Sequence, residues 1–181
     1  DAMALRPMTC PFQYQIYKNG LKSYRDLPVR YCETATEFRN EASGELHGLT
    51  RIRQFTVSDG HSILLPAQAE SEFEFGLSLS IKVLNALGLG GDVAYRLLTR
   101  GAIAEEAKKK YRGTDDDWIT AENAIRSVTE KLGLSVYEDE GAAVSCGPCL
   151  ELQFKNVFGK EDRLLSFQFD FGDGVDYNLY Y

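Results

Sequence analysis

FRNEASGELHGLTRIRQF, residues 38–55, is the stretch on which the reading of this chain turns. Side chains on an extended strand alternate between two faces with a period of two. Arg39 and Glu41 therefore share one face of an incoming strand, and Arg51, Arg53 and Phe55 share one face of an outgoing one. Ala42-Ser43-Gly44-Glu45 is turn-like, so the two strands are expected to pair antiparallel. Such a pair presents three guanidinium groups, a carboxylate and an aromatic ring on one floor. Guanidinium forks match phosphate oxygens, a flat ring stacks on a purine, and a carboxylate accepts from an exocyclic amine. The pattern fits an ATP site built on a sheet. It also fits an exposed ribbon of cross-strand salt bridges, because Arg/Glu-rich hairpins are common.

Working outward, Pro28 to Asn40 alternates and predicts a long strand, and Leu49 to Thr56 predicts its partner, with Ile63 to Leu65 as a short extension. Cys32 reads as a packing residue of the first strand. Upstream, Phe12 to Tyr17 predicts a short amphipathic helix closed by Asn19-Gly20. Downstream, Pro66 to Leu87 carries Phe73, Leu77, Ile81 and Leu84 at helical spacing and ends at Gly88 and Gly90-Gly91. Val93 to Leu98 predicts a strand, and Lys108-Lys109-Lys110 a solvated charge run. Thr114 is an N-cap candidate, with Asp115, Asp116 and Asp117 at the positive end of a helix running to Leu132. Trp118, Ile125, Val128 and Leu132 fall on one side of it. Leu134–Tyr137, Leu150–Phe154 and Leu164–Phe171 predict further strands. The expected fold class is α+β, a mainly antiparallel sheet flanked by helices.

Composition narrows the function. Hydrophobic residues make up 44% and charged residues 26%, a globular balance that argues against disorder. Twenty Lys plus Arg against 27 Asp plus Glu leave a net charge of −7, which excludes a uniformly basic nucleic-acid binder but not a local basic site. No run approaches the roughly 18 apolar residues of a membrane span. Asp1 to Leu5 has neither the basic nor the apolar stretch of a secretory signal. Four cysteines and no Asn-x-Ser/Thr sequon point to a reducing, cytoplasmic setting. With only His47 and His61, a histidine-rich metal cluster is impossible within this chain. Walker A, G-x-G-x-x-G, H-E-x-x-H and G-x-S-x-G motifs do not occur.

The motifs themselves go further. FRNEASGELHGLTRIRQF resembles motif 2 of the class II aminoacyl-tRNA synthetases, in the form found in the threonyl-tRNA synthetase family. RPMTCPF (6–12), GLKSYRDLP (20–28), FTVSDGH (55–61), KYRGTDDDW (110–118), EGAAVSCGPCLEL (140–152) and FQFDF (167–171) resemble that family's segments in the same order. The resemblance implies a class II catalytic-core-like fold and a ligase that activates L-threonine with ATP and Mg²⁺ and charges its tRNA. It implies Arg39 on the α-phosphate and the amino-acid carboxylate, as the catalytic residue; Glu41 on the adenine amine; Arg51 on the ATP tail; and Phe55 stacked on adenine. Cys10 and His61 match two ligands of the family's zinc ion. Met8, Asp59 and Gln168 match substrate-binding positions, and Arg53 an arginine position without an assigned contact. His47, in the motif 2 loop, could meet ATP or the tRNA acceptor end, or be a plain loop histidine. The full-length family members imply a homodimer in the cytoplasm, with no membrane partner.

On this reading residues 1–181 are one partial catalytic domain, without motif 1, motif 3 or the anticodon-binding domain. The family's third zinc ligand is a histidine beyond Gln168, and no histidine follows His61 here. Cys146-Gly147-Pro148-Cys149 stands where the family has Tyr-Gly-Pro-Lys, and Asp176 where it has Arg. Either cysteine could instead replace the third ligand. Two other functions stay open: a non-catalytic synthetase-like module that binds nucleotide or tRNA, and a thiol-redox protein using Cys146 and Cys149. The redox motif opens a helix after a strand. Leu150 to Phe154 alternates like a strand instead.

Overall fold

β1 (Val29–Phe38) pairs antiparallel with β2 (Gln54–Ile63), and the register sets Tyr31 opposite His61, Glu33 opposite Asp59, Ala35 opposite Val57 and Glu37 opposite Phe55. The computed structural model describes residues 3–101 and 110–181, so Lys108 and Lys109 of the expected charge run lie outside the described residues. The chain divides into two compact units, residues 1–65 with 177–181, and residues 66–176.

In the first unit the odd-numbered face of the hairpin is covered and the even-numbered face is exposed. Cys32 falls on the exposed face, so it is not a packing residue. α1 (Cys10–Lys18) begins two residues earlier than the periodicity predicts, with Pro11 in its first turn, where a missing N–H costs nothing. It buries Gln13, Tyr14 and Tyr17 and leaves Phe12 and Ile16 exposed. β2 starts at Gln54 rather than Leu49. Residues 49–53 belong to a loop pinned by hydrogen bonds between His47 and Arg51, with Gly48 at φ 50° making the turn.

In the second unit four strands lie in the order β4-β3-β5-β6: β3 is Val93–Thr99, β4 Val136–Glu140, β5 Cys149–Lys155 and β6 Glu161–Gln168. β3 and β4 run parallel across the segment holding α3 (Asp115–Lys131), and the other two pairs are antiparallel. The sheet is thus mainly antiparallel, with helices against it, as the sequence predicts. α2 (Ala69–Ala86) and α3 bury Phe73, Leu77, Leu84, Ile125 and Val128 against Leu97, Leu150 and Leu152. Each such side chain contributes about 1.5–3 kcal/mol by leaving water. Gly76 lets α2 approach β6, since a Cβ there would lie 2.8 Å from the Phe167 ring. Thr114 caps α3 as expected, in a reciprocal box with Asp117. Trp118 is buried beside Tyr111 and Phe171, and its indole N–H donates to the Arg112 carbonyl at 2.7 Å. α4 (Asp173–Asp176) is a single turn, held where Arg112 meets Asp176 at 2.6 Å. That ion pair holds the Asp176 carboxyl below the usual carboxylate range.

Candidate active-site face of the hairpin

The hairpin ladder continues past the strand ends. The Arg39 N–H donates to the Arg53 carbonyl at 2.9 Å. One pair further along, Glu41 meets Arg51: its carboxylate accepts from Nε at 3.1 Å and from Nη2 at 3.0 Å. Arg39, Glu41, Arg51 and Phe55 therefore come together on the odd-numbered face, as period two requires. The Arg39 guanidinium sits 5.0 Å from the Phe55 ring centre. It reaches Glu37 at 3.1 Å and donates from Nε to the Pro7 carbonyl at 3.2 Å. Glu37 is only 2% exposed, whereas the side chains of Arg39 and Arg51 are 50% and 52% exposed. Arg39 thus neutralises a buried carboxylate while its outer half stays open. Arg51 also reaches Glu45 at 3.5 Å. Arg53 points its fork into the loop instead, donating to the Glu41 carbonyl at 3.0 Å and to Ser43 Oγ at 3.2 Å. It braces the turn. His47 is exposed and bonded through its backbone to Arg51.

Further along the same face, α1 meets β2. Cys10, Asp59 and His61 each offer one ligand atom, all within 4.8 Å of one another. Thiolate, imidazole and carboxylate are all zinc donors, with bonds of about 2.0–2.3 Å. Donors on one ion sit within roughly twice that distance, close to the spacing found here. The donor chemistry fits the metal. Asp59 accepts from the Thr9 hydroxyl and from its neighbour's N–H at Gly60, 3.0 Å. His61 Nδ1 lies 2.8 Å from Gln13 Oε1, and the Tyr14 ring stands edge-on to the imidazole at 5.2 Å. Behind them Arg6 grips both oxygens of Glu33, at 3.1 and 2.9 Å, and this holds the Glu33 carboxyl below its usual range. Met8 is exposed just ahead of Thr9. The sequence reading missed Arg6, Thr9, Gln13 and Glu33. A glutamine at a buried helix position and a glutamate on the covered face of a strand are the signals that could have found them.

In the second unit the sheet face away from the α2–α3 core carries a polar cluster next to the apolar one around Leu98 and Cys149. Glu151 and Gln153 are buried there, with Gln153 donating to Glu151 at 3.0 Å and accepting from the Tyr137 hydroxyl at 3.0 Å. Arg96 and Arg163 reach Glu151 at 3.4 and 3.5 Å, and Arg96 also pairs with Asp139. Cys149 and Gln168 are paired across β5 and β6 on this face, and the Gln168 amide donates to Cys146 Sγ at 2.7 Å. Burial pushes the Cys149 thiol up to about 12 and the Cys146 thiol upward as well. Cys149 opens a strand, not a helix. A Cys-x-x-Cys redox pair needs a helix N-terminus to lower a thiol pKa, and this site does the reverse. Gly147 is required by packing: a Cβ there would lie 2.0 Å from the Phe169 carbonyl oxygen.

A two-stranded ribbon with a motif-like arginine face and an α+β unit with a mainly antiparallel sheet, carried on one chain, define a class of protein. The chain belongs to the tRNA synthetase class II core domain family (G, H, P, S and T), whose family model matches residues 1–164. It is similar to the threonine–tRNA ligase of Clostridium perfringens (strain 13 / Type A), 44% identical over 181 residues, which are 100% of this chain and 28% of that protein. The threonine–tRNA ligase of Synechococcus elongatus is 41% identical over 179 residues, 99% of this chain and 28% of that protein. Among solved structures, the RNA binding domain of threonyl-tRNA synthetase from Cryptosporidium parvum Iowa II superposes with a TM-score of 0.83 at 30% identity, covering 97% of this chain and 42% of that one. The chain spans just over a quarter of the length of the curated relatives it matches. Among the described residues no helix is long and apolar enough to cross a membrane.

Proposed function

We propose that this chain carries the threonine-activating part of a threonine–tRNA ligase, a cytoplasmic translation enzyme that works as a homodimer at full length. The observation that carries the reading is the hairpin face, where Arg39, Glu41, Arg51 and Phe55 meet on one floor with Cys10, Asp59 and His61 further along it. In the proposed reaction a threonine carboxylate oxygen attacks the α-phosphorus of Mg²⁺-ATP, and pyrophosphate leaves. Charge builds on the α-phosphate oxygens at the pentavalent centre. Arg39, already fixed by Glu37 and Pro7, is a preorganised donor for that charge and for the amino-acid carboxylate. Glu41 accepts from the adenine amine, Phe55 stacks on the base, and Arg51 holds the polyphosphate tail. Residues 1–181 are on this view one partial catalytic domain.

Cys10 and His61 would hold zinc, and Asp59, Met8 and Gln168 would serve the amino acid. The ion would supply a Lewis-acidic position for the amino nitrogen and the hydroxyl oxygen of threonine. Valine, nearly the same size, lacks that hydroxyl, and an apolar pocket separates such isosteres poorly. The test is calorimetric titration of the zinc-loaded chain with the non-hydrolysable sulfamoyl analogues of threonyl and valyl adenylate. The threonyl analogue should bind at least tenfold tighter, and Cys10→Ala should abolish the difference. Equal binding of the two analogues to the wild-type chain would overturn the assignment.

A further inference from the structure

The proposed metal donors leave one chemical choice unmade. A neutral imidazole carries its proton on one nitrogen and a lone pair on the other, and only the second can bind a metal. Sequence cannot say which nitrogen of His61 is which. The contacts around Gln13 can.

Gln13 is 2% exposed, one helical turn after Thr9 on the face of α1 that meets β2. Its amide oxygen lies 2.8 Å from His61 Nδ1. An amide can be turned end for end, so this contact alone does not fix the proton. The other end of the amide does: Gln13 Nε2 donates to Glu33 Oε1 at 3.4 Å. An ionised carboxylate only accepts, so the Gln13 amide must offer its NH₂ to Glu33 and its oxygen to His61. Glu33 is in turn held by both guanidinium nitrogens of Arg6, which only donate. The polarity of the whole relay is therefore set from its far end: Arg6 donates to Glu33, Gln13 donates to Glu33, and His61 Nδ1–H donates to Gln13. The edge-on Tyr14 ring limits rotation of the imidazole.

We propose that Gln13 is a positioning residue that fixes His61 in the Nδ1-protonated tautomer and so makes Nε2 the metal-binding nitrogen, with Glu33 and Arg6 orienting Gln13. The inference rests on the reading of His61 as a zinc ligand. Partners of this outer kind commonly contribute 10–100-fold to metal affinity, because they orient the ring and raise its basicity.

Two measurements on the full chain separate the inference from the reading beneath it. Histidine side-chain ¹⁵N NMR of the metal-free protein, at about pH 8 where an ordinary imidazole is neutral, reads the tautomer directly. Zinc affinity is read by competition with a chromophoric chelator. The wild-type spectrum should show Nδ1–H at His61. Gln13→Leu should lose that preference and bind zinc about 10–100-fold more weakly. Because a buried leucine could disturb packing alone, the double variant Gln13→Glu with Glu33→Gln is the decisive one. It keeps an acceptor toward His61 and an acceptor toward Arg6, with the donor now on residue 33. It should restore both the tautomer and the affinity. An Nε2–H signal in the wild type overturns the proposal even if no variant folds. So does a Gln13→Leu protein with unchanged tautomer and unchanged affinity. If the wild type shows Nδ1–H, loses it in Gln13→Leu, and binds no zinc, the tautomer control stands and the metal assignment falls.

Discussion

The covered face of the β1–β2 ribbon carries Tyr31, Glu33, Glu37, Asp59 and His61 among only a few apolar residues, while the helix-covered face of the β3–β6 sheet carries Leu97, Val136, Leu150, Leu152 and Phe167. The sheet face is buried and the ribbon face half-buried, and the two are held in different ways. The sheet gains stability from each apolar side chain it removes from solvent. The ribbon encloses carboxylates and an imidazole, which are stabilised only when their partners are in place: Arg39 for Glu37, Arg6 for Glu33, Thr9 for Asp59, Gln13 for His61. A buried ion pair is a weak source of stability compared with apolar packing. Carboxylates and an imidazole on a covered strand face, with half-exposed guanidinium forks at its open end, are therefore better explained by binding than by folding. The comparison predicts that substitutions on the ribbon face cost ligand and substitutions on the sheet core cost fold.

The largest effect should come at Arg39. In threonine-dependent pyrophosphate exchange by a full-length enzyme carrying this sequence, Arg39→Ala should lower the rate by roughly 10²–10³, the usual loss for one fixed transition-state donor. Lys160→Ala, an exposed cation of the β5–β6 turn, should change it less than twofold. Equal losses in the two variants would break the site assignment. Next comes Leu77→Ala in α2. Leu77 is fully buried against the sheet, so the variant should lose about 2–5 kcal/mol in denaturant unfolding followed by Trp118 fluorescence. Affinity for ATP, measured below the unfolding transition, should hardly change. A loss in ATP affinity as large as that of Arg39→Ala would remove the contrast between the regions.

The same contrast explains what could be read from sequence. Phe73, Leu77, Ile81 and Leu84 predict α2 because each is placed by the core, and apolar periodicity reports the core. The second hairpin strand is shifted by five residues for the opposite reason. Leu46 and Leu49 suggest burial, yet both are exposed on the loop, while Asp59 and His61 look like solvent-facing residues and sit on the covered face. Periodicity fails where chemistry occupies the inside of a strand. Arg39, Glu41, Arg51 and Phe55 remained legible because a repeat of charge at period two is also a pattern. Gln13 did not: a single polar residue among Phe12, Tyr14 and Ile16 gives no period, and its partner Glu33 lies far away in sequence. β6 begins at Glu161, three residues before Leu164, because its first residues are charged and exposed while their backbones still pair with β5.

The smallest predicted effect tests whether a charged group in the second unit acts on folding alone. Asp117 accepts from the Thr114 N–H at 2.7 Å and from the Thr114 hydroxyl at 2.8 Å, and these bonds hold its carboxyl below the ordinary aspartate value. A carboxyl depressed in the folded state stabilises the fold above its unfolded pKa, near 3.9, and that contribution is lost as pH falls through the lower folded value. Asp117→Asn should therefore destabilise the chain at neutral pH by an amount typical of a helix cap, about 0.5–1 kcal/mol. The gap between variant and wild type should shrink as pH falls below about 4 and close once the pH has passed through the lowered folded value, where both side chains are uncharged. Taking the difference between the two proteins cancels the other titrating groups, which they share. ATP affinity at neutral pH should be the same in both, since the cap is remote in function from the ribbon face. A stability gap of constant size throughout the acid titration would show that the ionised carboxylate is not the source of the cap's contribution.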